Sequence, residues 1–119
     1  MYTHNVEPDQ PLGKKELNYQ LKILYGARCL LTNIPEYQLT QHHIVKREHG
    51  GPNTVANCAL ITKQLHRWLH MVEYYDYELY QLVNECLVIY KELLDYRLLE
   101  YAKIYEEEIM PLYLAKIKK

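Results

Sequence analysis

Residues 39–70 read LTQHHIVKREHGGPNTVANCALITKQLHRWLH. Short apolar pieces broken by Gly50, Gly51, Pro52 and Asn53 suit two strands joined by a loop, one near residues 39–45 and one near 58–61. Thr62 is placed to cap a helix in which Leu65, Leu69 and Val72 share one face, while His66 and His70, four positions apart, project together. The local order is therefore strand, loop, strand, helix. His42, His43, Asn57, His66 and His70 fall at fixed offsets within that short span.

Hydrolysis assisted by one metal ion needs a few neutral imidazoles or carboxylates to hold the ion, and a separate base close by. Adjacent histidines at a strand end can divide these tasks. Successive side chains on a strand face opposite ways, so His42 and His43 are not expected to reach one ion together, which leaves one of them as a base. An imidazole titrates near neutrality, which suits it to take a proton from water. The helical pair His66 and His70 adds ligands from a rigid surface.

Over about residues 29–70 this stretch resembles the ββα-metal motif of the HNH (His-Me finger) endonucleases. The resemblance implies that His42 is the first metal ligand, His43 the general base and His66 the second ligand. His70 matches the further helix histidine that binds metal in some members, and Asn57 the central asparagine that braces the loop and so holds His43. Gly50 and Gly51 shape the turn, where a backbone without Cβ takes positive φ and passes close to a phosphate. The implied activity is metal-dependent endonucleolytic hydrolysis of DNA phosphodiesters, leaving a 5′-phosphate and a 3′-hydroxyl. One divalent ion is implied as cofactor, Mg²⁺ or Mn²⁺ ahead of Zn²⁺ or Ni²⁺. Many members also carry two C-x-x-C pairs that hold a structural zinc. Here those positions read Cys29 and Thr32, then Thr62 and Leu65, so packing by flanking helices must support the motif instead.

Outward from the motif, Leu17, Leu21, Leu24 and Tyr25 recur at helical spacing between Lys14 and Arg28, and Gly26 is placed to stop that helix. Residues 1–13, with Pro8, Pro11 and Gly13, suggest an extended arm or a disordered start. Beyond residue 72 the pattern is helical almost throughout, with one stripe through Leu79, Leu82, Val83, Cys86, Ile89, Tyr90 and Leu93 and a second through Leu98, Tyr101, Ala102, Tyr105 and Ile109. Pro111 should kink the last helix or open a short final one. The expected class is α+β and mostly helical: an arm at 1–13, an HNH core at 14–72 and a helical extension at 73–119, which packs on the core or forms a dimer or partner surface. The tyrosines after residue 73 and Trp68 read as packing residues, the run Glu106 to Glu108 as a solvated face, and His4 and His49 as bystanders.

The net charge of −1 hides an uneven distribution. Residues 1–70 hold eight basic side chains against five acidic ones, and residues 71–119 hold six against ten, so phosphate chemistry belongs to the first part. Lys46, Arg47, Lys63 and Arg67 flank the motif as nucleic-acid contacts that position without reading sequence. Cys29, Cys58 and Cys86 lack disulfide or zinc-ribbon spacing and read as buried thiols. No window approaches a membrane span, and a cytoplasmic protein, with a phage or mobile element as its source, is the expectation. Two other classes compete: a catalytically silent HNH-fold module that binds nucleic acid or protein, and a helical structural protein whose histidines chelate zinc. The presence of His43 argues against the silent module.

Overall fold

The computed structural model describes residues 6–35 and 38–117. His4, Lys118 and Lys119 lie outside the described residues, as does the start of the arm. The chain is α+β and mostly helical, and no helix of the described residues is long and apolar enough to cross a membrane.

Helix α1 spans Lys14–Tyr25 and ends on Gly26, whose φ of 86° suits a residue without Cβ. Its buried face, Leu17, Leu21 and Tyr25, rests on the sheet. Strands β1 (Thr40–His43) and β2 (Cys58–Ile61) pair antiparallel, with His42 opposite Ala59 and His43 opposite Cys58. The first strand is shorter than the 39–45 read from the pattern because the backbone turns away after His43 into a loop with a tight turn at Arg47–His49. Helix α2 (Lys63–Tyr75) starts at Thr62, whose side chain accepts from Leu65 N–H, and buries Leu65 and Leu69.

Helix α3 spans Tyr77–Asp95, with Asp76 capping it through Leu79 N–H. Its buried face is not the predicted apolar stripe. Leu79, Val83, Cys86 and Tyr90 are buried as expected, but Leu82 and Ile89 are exposed, and Tyr80, Asn84, Leu87 and Lys91 take the inward positions instead. Helix α4 (Leu99–Ile104) runs through a wider π turn at Tyr105–Ile109 into α5 (Met110–Ile117). Pro111 has no N–H for the carbonyl four residues back, and the wider turn, with Met110 N–H reaching Tyr105 O, precedes it. Of the second stripe, Ala102 is buried and Tyr105 and Ile109 pack partly, whereas Leu98 and Tyr101 are exposed.

Two further packing expectations are corrected. Tyr74, Tyr75, Tyr77 and Tyr96 are exposed at the ends of α2 and α3, Tyr77 stacking on Tyr80, while Tyr80 and Tyr90 are buried. Glu106 is not a solvated charge: it accepts from the Tyr90 hydroxyl and faces Arg28 at 3.9 Å. Trp68 packs against the core, and all three cysteines are buried free thiols.

Candidate active site

The strands, the loop between them and α2 enclose one side of a cleft of about 910 Å³, whose lining includes His42, His43, His66 and His70. All four histidines that the sequence singled out therefore meet at one place. His49 lies outside that lining, on the exposed loop turn.

His42 is buried on β1. Its Nε2 lies 2.7 Å from Asn84 Oδ1 on α3, and its Nδ1, also buried, has no hydrogen-bond partner among the described residues. Burial pushes its pKa down to about 4, so the ring is neutral at neutral pH. The His66 ring stands edge-on to it at 5.5 Å. His66 Nδ1 lies 3.0 Å from the Thr40 hydroxyl, and that hydroxyl donates its hydrogen to Ile61 O at 3.2 Å. Burial again lowers the pKa of His66, helped by the neighbouring His70 and His43. His70 is exposed at the rim, with its ring 4.7 Å from that of His66 and its Nδ1 3.8 Å from Glu73.

His43 faces the cleft from the next position on β1, with its Nε2 2.7 Å from Asn53 Oδ1. An Nε2–H donated to that oxygen leaves Nδ1 as the basic atom. Asn53 was not singled out from the sequence, which assigned the holding of His43 to Asn57. Asn57 fastens the loop through backbone groups: its Oδ1 accepts from Val45 N–H, its Nδ2 donates to Val45 O and Pro52 O, and its own carbonyl accepts from Ile44 N–H. It thus fixes both the residue after His43 and the one before Asn53, and acts on the base through the backbone.

Other parts of the chain hold the same loop. Gly50 takes φ of 83°, and Gly51 lets two backbone segments touch, since a Cβ there would lie 1.7 Å from Val45 O. The close approach that requires Gly51 is thus to β1's own continuation. From the N-terminal side, Leu12 N–H donates to Asn53 O and Pro8 O accepts from Ala56 N–H, so residues 6–13 lie along the loop rather than free of it. From α3, the buried Lys91 ammonium donates to the carbonyls of Val55, Ala56 and Cys58 and sits 5.3 Å above the Tyr25 ring. An ammonium and hydrogen bonds thus tie the loop to the helices in a chain without the cysteine pairs of a zinc knuckle.

The basic residues differ in how they stand. Lys46 is held by Glu73 at 3.0 Å and Glu48 at 2.9 Å, while Arg47 and Lys63 line the cleft, joined by Lys14 from α1. Arg67 borders a neighbouring depression with His70, Met71, Tyr74 and Tyr75. Lys14 was missed because it lies 28 positions before His42 and is brought there by the packing of α1.

A divalent ion fits the donors in kind. The buried, unpartnered Nδ1 of His42 and the outer nitrogen of His66 are neutral imidazole donors, although no three His, Cys, Asp or Glu side chains of the described residues form a closed set around one point.

A histidine-bearing hairpin followed by a histidine-bearing helix, facing one basic-rimmed cleft, defines a nuclease-like or nucleic-acid-binding ββα unit. Residues 27–70 match the family model described as HNH endonuclease, and this segment of the chain is an HNH domain. No curated protein and no solved structure matches the chain.

Proposed function

We propose that the protein is a metal-dependent endonuclease that hydrolyses DNA phosphodiester bonds in the cleft, with His43 as general base. The observation that carries this reading is His43 itself: an imidazole facing the cleft, held by Asn53 through one nitrogen and beside His42 and His66. Its Nδ1 takes the proton of an attacking water, and the hydrogen bond to Asn53 keeps the ring aimed with its hydrogen on Nε2. His42 and His66, with His70 at the rim, hold one divalent ion. Bound there, the ion supplies Lewis-acid stabilisation of charge on the phosphate and the leaving 3′ oxygen. An all-imidazole set suits Zn²⁺ or Ni²⁺ better than the harder Mg²⁺ or Mn²⁺.

Arg47, Lys63 and Lys14 contact the phosphate backbone, whereas the ion pairs of Lys46 reduce its part. Helix α3 belongs to the catalytic unit, because Asn84 and Lys91 reach the site and its loop. The test is cleavage of supercoiled plasmid with Mg²⁺, Mn²⁺, Ni²⁺ or Zn²⁺ and an EDTA control. Nicked or linear product that requires metal supports the reading; no product with any metal, from folded protein that still binds DNA, replaces it with a binding module.

A further inference from the structure

Two side chains outside the histidine set touch it from behind: Asn84 on α3 and Thr40 at the start of β1. We propose that Asn84 and Thr40 are positioning residues that set opposite tautomers in His42 and His66, so that both rings turn a lone pair toward the same cation; this rests on the metal-dependent reading above.

For His42, the Asn84 amide oxygen accepts the Nε2–H at 2.7 Å, and Nδ1 then carries the lone pair. That nitrogen is buried without a partner among the described residues, next to the His66 ring. A buried lone pair left bare costs free energy, and a cation bound there removes that cost. For His66 the partner is Thr40. A hydroxyl has one hydrogen, and Thr40 spends it on Ile61 O. With its hydrogen placed there, the hydroxyl accepts from His66, so the ring carries its proton on Nδ1 and its lone pair on Nε2.

The device also explains a polar residue on the inward face of α3. Asn84 is only 8% exposed, in a position where an apolar side chain would pack more simply, and its partner His42 is 1% exposed. The second ring nitrogen of a metal-binding histidine is commonly fixed by such a hydrogen bond, and removing the partner typically weakens metal binding about 10–100-fold.

Long-range ¹H–¹⁵N correlation spectra of the metal-free protein at neutral pH read the tautomers without any substitution. The expected pattern is Nε2–H for His42 and Nδ1–H for His66. Zn²⁺ titration by calorimetry follows, with circular dichroism to confirm folding. Asn84→Leu and Thr40→Val should each weaken Zn²⁺ binding about 10-fold or more, and Asn84→Asp, which keeps an oxygen acceptor, should restore it. Nδ1–H on His42, or unchanged Zn²⁺ affinity in folded Asn84→Leu, overturns the proposal. Correct tautomers and tight Zn²⁺ binding in a protein that cuts no DNA would sink the nuclease reading and leave this one standing.

Discussion

Lys91→Met is the substitution that most sharply tests how the active-site loop is held. Lys91 is 3% exposed, and its ammonium donates to three backbone carbonyls of residues 55–58. Hydrogen bonds to a charged group contribute about 1.5–3 kcal/mol each before desolvation is counted. Burial opposes the charge and pushes the pKa of Lys91 down to about 8, so the three bonds do not simply add. Methionine keeps most of the apolar stem and avoids a large cavity, but it leaves three carbonyls without their donor. Removing one side of a buried charged contact costs roughly 3–5 kcal/mol. Urea unfolding should therefore show a loss of about 3 kcal/mol, a midpoint shift on the order of 1 M or more. Lys103→Met is the control, because that side chain is 69% exposed and its ion pair with Glu107 is 4.0 Å long; it should move stability by no more than about 0.5 kcal/mol. If Lys91→Met behaves like Lys103→Met, the lysine does not hold the loop.

Three further outcomes follow from the site. In metal-free protein, the depressed pKa of His42, about 4 against an ordinary 6.5, means that the unfolded chain binds more protons between these values. Stability from this group is then complete above pH 6.5 and lost as pH falls toward 4, by about 3 kcal/mol, and a urea midpoint that stays level over that range would contradict it. Gly51→Ala forces a Cβ to within 1.7 Å of Val45 O and should cost about 3 kcal/mol or more by the same measurement, whereas Gly50→Ala, with only its φ of 83° to accommodate, should cost about 1 kcal/mol. Asn53→Ala should lower kcat for DNA cleavage about 10-fold or more with KM little changed, since the amide orients the His43 ring; equal effects on both constants would deny it that role.

The hairpin and α2 were legible because local signals agree there: Gly26 stops α1, Thr62 caps α2, and β2 at 58–61 falls where its apolar run lies. The four cleft histidines were legible for the same reason, since their spacing on a hairpin and one helical turn brings them together with little help from distant chain. The inward face of α3 was not. Apolar periodicity selects Leu82 and Ile89, but the site needs Asn84 against His42 and Lys91 against the loop carbonyls, and the helix turns to supply them. Asn53 was hidden beside Asn57: two asparagines share one loop, and only its folded path, set by Gly50, Gly51 and the hydrogen bond from Leu12, decides which of them meets His43.

His43 is proposed as the base of a metal-dependent nuclease and not as one of its metal ligands. Plasmid cleavage and calorimetric Zn²⁺ binding should be measured side by side for wild type and His43→Ala. With His43 acting only as base, the variant binds Zn²⁺ about as tightly as wild type and loses cleavage. A variant that cuts at the wild-type rate, or one that loses Zn²⁺ along with activity, would contradict it.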